Sequence, residues 1–349
     1  MLELLLTFVI MLVCFGISMY ITRQDWKRNY GEIAAASVIP GIVALAVMAG
    51  GWYANVRDVN VLNGFVTSKT KDRVSCSHPY PCNCRKSGKS THCDTCYLHP
   101  YDWDWVLHTN IKRDVVIDRI DMQGVREPGR YTKAQVGDAV ALTDTYINYL
   151  KASEHSLFND SKLLNKYSDR VPEYPGKVYD YHYVDRVLTD KVALPEQDKW
   201  NQALANMVKE LGDRYQVNTI VLFTSVPEQD YYNAVRQKWL GGKKNDVILI
   251  IGTPNFPDID WVRTLSWTDN ELFKVELQDD VYDLKKVTTP EPVMTQLHDH
   301  IAKNFVRKEM KDFDYLKDEV SPEPEWYLVA LFMAIAACLG MHYWIRKHS

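Results

Sequence analysis

Three long apolar runs stand out in a chain of 349 residues. They cover residues 4–21, 33–54 and 326–344, and none contains Asp, Glu, Lys or Arg. A helix of about 20 apolar residues spans the roughly 30 Å hydrocarbon layer of a bilayer. Trp and Tyr lie at the ends of the last two runs, where an aromatic belt at the membrane surface would place them. The pattern predicts three transmembrane helices. Buried helices of a soluble core are the alternative, and a signal peptide is a second alternative for the first run.

The orientation of the three helices follows from the distribution of Lys and Arg. The positive-inside rule assigns basic loops to the cytoplasm. Basic residues occur in the loop between the first two runs and in the C-terminal tail: Arg23, Lys27, Arg28, Arg346 and Lys347. We therefore expect an integral protein of the inner or plasma membrane with a cytoplasmic C-terminus. Residues 55–325 would then lie outside, in the periplasm if the cell is a diderm bacterium.

The first part of this exterior segment has the pattern of β structure. Asn63-Gly64 lies between alternating apolar residues and predicts a hairpin turn. Residues 115–120 and the sequence Asp102-Trp103-Asp104-Trp105 are further strand candidates. We expect a β-rich module over residues 55–158. The polar stretch 159–184, which contains two prolines and a glycine, is interpreted as a linker.

The second part of the exterior segment alternates between helical and strand patterns. Apolar residues at helical spacing predict a helix over 195–215, and further helices are expected at 229–239 and 292–305. Three short apolar runs predict buried strands at 219–223, 247–252 and 261–267. This order indicates an α/β class, with helices layered on a mixed sheet over residues 185–325. The domain order is then two transmembrane helices with a short cytoplasmic loop (1–54), the β-rich module (55–158), the linker (159–184), the α/β domain (185–325), and a transmembrane helix with a basic tail (326–349).

Part of the α/β domain resembles the TPM domain family. The likeness covers residues 185 to about 305 and is carried by a Trp-to-Asn turn that joins a helix to a buried strand: Trp239, Gly242, Lys243, Lys244, Asn245, Val247 and Leu249. The resemblance implies a TPM-like fold, a divalent cation near the acidic residues after that strand, and in some members phosphatase activity. The glycine-containing loop typical of the family is replaced here by SWTDNELFKVELQDD. The whole chain is also loosely similar to uncharacterised membrane proteins of bacteriophages.

Five of the seven cysteines fall between Cys76 and Cys96, together with histidines in the same stretch. Cys82-x-Cys84 and Cys93-x-x-Cys96 form two close pairs, and two such pairs can supply four thiolates to one structural Zn²⁺. Any one of these ligands is replaceable by an alternate: Cys76, His78, His92 or His99. Two disulfides with one free thiol are the competing interpretation, because an exterior location permits disulfides. A catalytic Cys-x-x-Cys is the third, but the pair lacks a thioredoxin-like strand-to-helix setting.

Acidic residues after the second buried strand provide another candidate site. Asp269, Glu271, Asp279 and Asp280 are candidates for weak Ca²⁺ or Mg²⁺ binding, and a solvated acidic face is the alternative. The net charge of −4 gives no basic signal for nucleic acid. We expect a membrane-anchored exterior binding or scaffold protein whose partners are the membrane and other membrane or exterior proteins. The alternative function is a membrane-bound, metal-dependent hydrolase of phosphoesters.

Overall fold

The computed structural model describes residues 2–22, 30–88, 90–111, 113–153 and 166–348. The basic residues Arg23, Lys27 and Arg28 and the first part of the predicted linker lie outside these ranges. The chain forms two compact units. The first contains residues 1–58, 145–159 and 310–349, and the second contains residues 59–144 and 160–309.

The first unit contains the three apolar runs as helices. They are α1 (Leu2–Ile21), α2 (Tyr30–Val56) and α9 (Pro324–His348). In the described residues, α2 and the Pro324–Ile345 part of α9 are long and apolar enough to cross a membrane, whereas the apolar part of α1, Leu5–Ile21, is shorter. The same unit holds the short helix α4 (Tyr149–Ala152) and a 3₁₀ segment, Met310–Glu319. Two of the three predicted transmembrane helices, α2 and α9, therefore have the length and apolar composition needed to cross a membrane.

A line of polar side chains lies inside this helical unit. Nδ1 of His342 on α9 is 2.5 Å from Oε1 of Glu32 on α2, and its Nε2 is 2.9 Å from Oγ of Ser18 on α1. Oγ of Ser18 is in turn 3.7 Å from Sγ of Cys338. His342 and Ser18 are buried. A buried polar group is costly unless it is hydrogen-bonded, so these contacts connect all three helices to one another.

Most residues of an antiparallel sheet, in the order β5-β4-β1-β6, belong to the second unit. Its strands are β1 (Arg57–Val74), β4 (Asp102–Thr109), β5 (Val115–Ile117) and β6 (Ala139–Ile147). Apolar side chains from these strands form one core with Tyr131 of the short helix α3 (Gly129–Lys133). The predicted strands at Asp102–Trp105 and from Val115 are confirmed, although β5 is only three residues long.

The hairpin predicted at Asn63-Gly64 is wrong, because β1 continues through both residues. Asn63 is buried, and its amide nitrogen donates to the Val217 carbonyl oxygen at 3.0 Å. At Gly64 a side chain would collide with Asn110, whose Oδ1 lies 2.1 Å from the position of a Cβ atom. Glycine is needed here for a close approach of neighbouring groups, not for a turn. Long-range packing has overridden a local turn signal.

The remainder of the second unit is an α/β arrangement around a four-stranded sheet, in the order β12-β11-β10-β9. The three strands β9, β10 and β11 are parallel, and β12 is antiparallel to β11. The mixed sheet predicted from the sequence is therefore confirmed. Its strands are β9 (Val187–Asp190), β10 (Asn218–Thr224), β11 (Asp246–Gly252) and β12 (Trp261–Ser266).

Helices cover both faces of this sheet. One face packs against α5 (Gln197–Tyr215), α7 (Glu271–Tyr282) and α8 (Pro290–Asn304). The other face packs against α6 (Tyr231–Lys238) and against Tyr167 and Val171. The predicted helices at 195–215, 229–239 and 292–305 are confirmed within two residues at each end, whereas α7 was not predicted. A two-stranded sheet, β7 (Val178–Tyr179) with β8 (His182–Tyr183), precedes β9.

Candidate metal site

The cysteine-rich segment forms an antiparallel hairpin of β2 (Pro79–Ser87) and β3 (Ser90–Tyr97). Among its described side chains, only Cys82 and Cys96 are even partly buried, so the hairpin lacks a core of its own. An isolated two-stranded hairpin is marginally stable in water. Disulfides join Cys82 to Cys96 and Cys84 to Cys93, and they fasten the two strands where packing cannot.

The disulfides correct the first interpretation of these four cysteines. A zinc ligand must be a thiolate, and a sulfur atom in a disulfide carries no such charge. Cys82, Cys84, Cys93 and Cys96 therefore do not form a four-thiolate site in this structure. The structure instead has the arrangement of the competing interpretation, in which two disulfides form and Cys76 is a free thiol.

A different set of ligand atoms converges at the base of the hairpin. Cys76 and His78 precede β2, His99 follows β3, and Asp102 begins β4. The backbone N–H of Leu98 donates to the His78 carbonyl oxygen at 3.2 Å and holds the two sides together. One ligand atom from each of the four residues lies within 4.8 Å of all the others. In the part of the chain that the structure describes, this is the only such group.

The separations within this cluster are close to those of a tetrahedral metal site. Sγ of Cys76 lies 3.7 Å from Nδ1 of His99 and 4.0 Å from Nδ1 of His78. The Asp102 carboxylate lies 3.1 Å from Nδ1 of His99 and 3.5 Å from Nδ1 of His78. Bonds of about 2.0–2.3 Å to a central ion at tetrahedral angles would separate neighbouring ligand atoms by about 3.3–3.7 Å. Side-chain shifts of a few tenths of an ångström around an ion would thus complete the site.

The Asp102 carboxylate is held in position by residues around the cluster. Its Oδ2 accepts hydrogen bonds from the Ser77 backbone N–H at 2.9 Å and from Nη1 of Arg119 at 2.7 Å. Its Oδ1 faces His99. Burial alone would raise the pKa of the Asp102 carboxyl, but the hydrogen bonds from Ser77 and Arg119 outweigh burial and hold that pKa well below its usual range. The carboxylate is therefore charged and oriented, as a metal ligand must be.

The arrangement does not form a Cys-His-Asp relay. Such a relay needs the two nitrogens of one imidazole to face different partners, so that a proton can pass through the ring. Here Cys76 and Asp102 both approach Nδ1 of His99. One thiolate and one carboxylate would instead balance the charge of a divalent cation, with two neutral imidazoles completing the set.

One side of the cluster is accessible to solvent. Cys76 is 7% exposed and the Asp102 side chain is fully buried, whereas the side chains of His78 and His99 are 30% and 24% exposed. A cleft of about 630 Å³ lies on this side. Its lining consists of Ser75, Cys76, Tyr97, Leu98, His99 and Pro100. The two ligands that would be anionic, Cys76 and Asp102, are thus buried, and the cluster is accessible to solvent at the two imidazoles.

The other predicted ligands lie elsewhere. His92 is exposed on β3, with its Nε2 3.5 Å from Oγ of Ser90. The weak divalent candidates lie on or beside α7, where residues 271 and 280 are separated by about 13 Å along the axis. Three of these four acids contact basic groups: Asp269 with Lys308, Glu271 with Lys274, and Asp280 with His300.

The cysteine and histidine pattern predicts three of the four converging residues as alternate ligands, but it does not predict Asp102. The signal that indicates Asp102 is the repeated tripeptide His-Pro-Tyr, at His78 and at His99. The two copies bracket the hairpin, so the residues beside each copy meet at its base. Asp102 directly follows the second copy, just as Cys76 lies two residues before the first.

Comparisons of this chain with protein-family models, with curated proteins and with solved structures find no match.

Proposed function

We propose that this chain is a membrane-anchored binding or scaffold protein that holds one Zn²⁺ at Cys76, His78, His99 and Asp102. The convergence of these four ligand atoms within 4.8 Å, at separations that fit a tetrahedral ion, carries the proposal. Ca²⁺ and Mg²⁺ prefer oxygen ligands throughout, so a thiolate and two imidazoles favour a transition metal. Tetrahedral geometry with mixed sulfur and nitrogen ligands favours zinc among these metals.

The ion would act as a clamp at the base of the hairpin. Cys76 and His78 lie on the segment before the hairpin, and His99 and Asp102 lie on the segment after it. One ion would therefore join both segments at the start of β4. Together with the disulfides it would hold an exposed, extended element in one orientation. A rigid exposed element of this kind suits the recognition of another protein, which is why we favour a binding or scaffold role.

The proposed membrane arrangement has α1, α2 and α9 as spans and the second unit outside the membrane. The disulfides support an exterior location, because cytosolic thiols are kept reduced. The basic residue Lys347 at the end of α9 supports a cytoplasmic C-terminus. Protease added to spheroplasts should digest residues 55–325 and leave a C-terminal tag intact. Protection of residues 55–325 would contradict this orientation.

We also propose that residues 185–305 are a TPM-like domain. The order of helices and strands supports it, as does the position of Trp239 at the end of α6. Trp239 is buried against the sheet, and Gly241 and Gly242 follow it with φ of 78° and 82°. Those φ values favour glycine, so the turn into β11 depends on both residues, of which Gly242 belongs to the TPM resemblance.

Metal analysis of the full-length protein tests the zinc site. Protein purified in detergent without chelators should contain about one zinc per chain. Cys76→Ser and His99→Ala should lose most of that zinc, whereas His92→Ala, which alters an exposed histidine of the same hairpin, should retain it. Equal zinc content in Cys76→Ser and in the wild type, or zinc in neither, would refute the site.

A further inference from the structure

We propose that the metal ion at this site keeps a coordination position open to the adjoining cleft, and that a small carboxylate with an apolar substituent binds there. The inference rests on the proposed zinc site and adds a ligand to it. Structural zinc sites are closed by four protein ligands, whereas sites that bind exchangeable ligands retain an accessible position. This cluster has four protein ligands, so an added ligand would be the fifth, and two of the four are partly exposed on one side, where it could enter.

Accessibility is confined to one side of the cluster. Asp102 and Cys76 close the inner side, because both are buried, and Arg119 covers Oδ2 of Asp102. The two imidazoles are each about a quarter to a third exposed. Cys76 and His99 are ligands and also line the cleft, so an ion bound to both would be in contact with it. Zinc sites can expand from four to five ligands, as catalytic sites do in their transition states, and such an expansion would give a position for an added ligand.

The walls of the cleft determine the chemistry of the ligand. Tyr97 and Leu98 are large side chains that are 56% and 53% exposed, and Pro100 lies beside them. They offer an apolar surface next to a charged ion. Ser75 also lines the cleft and supplies a hydroxyl group. A carboxylate has two oxygens, of which one can bind the ion while the other accepts a hydrogen bond from Ser75.

The charge of the loaded site also favours a monoanion over a dianion. One thiolate and one carboxylate leave a divalent ion with no net charge. A ligand with a single negative charge then adds only one charge to the site, and the guanidinium of Arg119 lies close behind Asp102. A dianion such as phosphate would add two, beside a buried carboxylate that repels it.

Cobalt substitution of the full-length protein in detergent provides the test. Co²⁺ bound to a thiolate gives a near-ultraviolet charge-transfer band, and its visible bands report the number of ligands. Hexanoate should change the visible bands saturably and should bind about tenfold more tightly than acetate, because its longer chain contacts the apolar wall. Leu98→Gln should abolish most of that difference while leaving the charge-transfer band in place.

The outcomes separate the two proposals. Absence of the charge-transfer band means that the metal site itself is wrong. A normal band with visible spectra that no carboxylate alters means that the metal site is right but closed, and it overturns the ligand proposal. Equal affinities for hexanoate and acetate, unaffected by Leu98→Gln, would show that the cleft contributes nothing and would likewise overturn the ligand proposal.

Discussion

Nη1 of Arg119 lies 2.7 Å from Oδ2 of Asp102. The Asp102 side chain is fully buried, and Arg119 also contacts Asp104, with its Nη2 2.7 Å from Oδ1. A buried carboxylate is unfavourable unless charge and hydrogen bonds compensate it. Arg119 supplies the charge and one hydrogen bond, and Ser77 donates others. The guanidinium therefore fixes the orientation of the only carboxylate in the proposed zinc site. Its role is to position a ligand rather than to bind the ion.

Arg119→Gln should weaken zinc binding by about 10- to 100-fold, the range found when a residue that orients a metal ligand is lost. Competitive titration against a chromophoric chelator would measure the change. Arg113→Gln is the matched control, since Arg113 is half-exposed and contacts Asp144 and the Thr143 carbonyl oxygen instead. Equal affinities in the two variants would show that Arg119 does not support the site.

Trp239→Ala should destabilise the second unit by about 3–5 kcal/mol, as expected for loss of a buried aromatic side chain. Trp239 is 4% exposed, and its indole N–H donates to the Pro172 carbonyl oxygen at 2.9 Å. Chemical denaturation of the two proteins would give the difference in free energy of unfolding. Tyr179→Ala is the control, because Tyr179 is 79% exposed and should change that free energy by less than about 0.5 kcal/mol. A similar small change for Trp239→Ala would contradict the packing described here.

Asp230→Asn should lower thermal stability in a pH-dependent manner. Hydrogen bonds from Lys166 and then from Tyr167 lower the pKa of the Asp230 carboxyl below its ordinary value of 3.8. The native state therefore favours the charged form, and this contribution is present above pH 3.8 and lost as the pH falls through the folded-state pKa. The difference in Tm between wild type and Asp230→Asn should be constant from pH 5 to 7 and should shrink below about pH 4.

Asp118→Asn serves as the control for this pH series, because the Asp118 side chain is 93% exposed. Its Tm should remain close to that of the wild type at every pH. A Tm difference for Asp230→Asn that stays constant down to pH 2 would show that the charge on Asp230 is not the cause.

His342→Ala should weaken the association of the three helices in the first unit. The substitution removes the imidazole that bonds Glu32 and Ser18, and the loss of a hydrogen bond to a buried group costs on the order of 1–3 kcal/mol. Unfolding in mixed micelles with a rising fraction of denaturing detergent would measure the change. Tyr343→Ala alters the neighbouring residue, which is 70% exposed, and should leave the unfolding midpoint where it is. Coincident midpoints for the two variants would refute a stabilising role for His342.

Regular periodicity made most of the α/β part predictable. The apolar residues that recur at helical spacing in α5 are buried in the structure: Trp200, Leu204, Met207, Val208 and Leu211. By contrast, α7 escaped prediction because acidic residues separate its three buried side chains, Phe273, Leu277 and Val281. Its start is set by the Asn270 side chain, which accepts a hydrogen bond from the Phe273 backbone N–H. An Asn at this position is a sequence signal for the start of a helix, but the acidic residues that follow it favoured the interpretation as an acidic surface.

The candidate site was predictable only in its location. The cysteine spacing is compatible with shared zinc and with disulfides, and the choice depends on strand register, which brings Cys82 and Cys96 to opposite strands of one hairpin. Because the other four cysteines of the segment pair with one another, Cys76 remains a free thiol. The hairpin also brings His78 beside His99. The contribution of Asp102 depends on β4 pairing with β1, a contact between residues about 30 positions apart. The spacing of the cysteines carries no information about such a contact, and only the repeated His-Pro-Tyr marks the two segments that meet there.

The hydrogen bonds of Asn63 have a consequence for the folding of the second unit. Asn63 belongs to β1, yet its amide donates to Val217 and its Oδ1 accepts from Nη2 of Arg186 at 2.5 Å. Asn245 makes a similar link, donating to the Val61 carbonyl oxygen at 2.7 Å. If either sheet were removed, the other would expose an interior surface with unsatisfied donors and acceptors. Residues 59–144 and 186–309 should therefore melt in a single calorimetric transition, and neither should be obtained as a stable fragment when expressed alone.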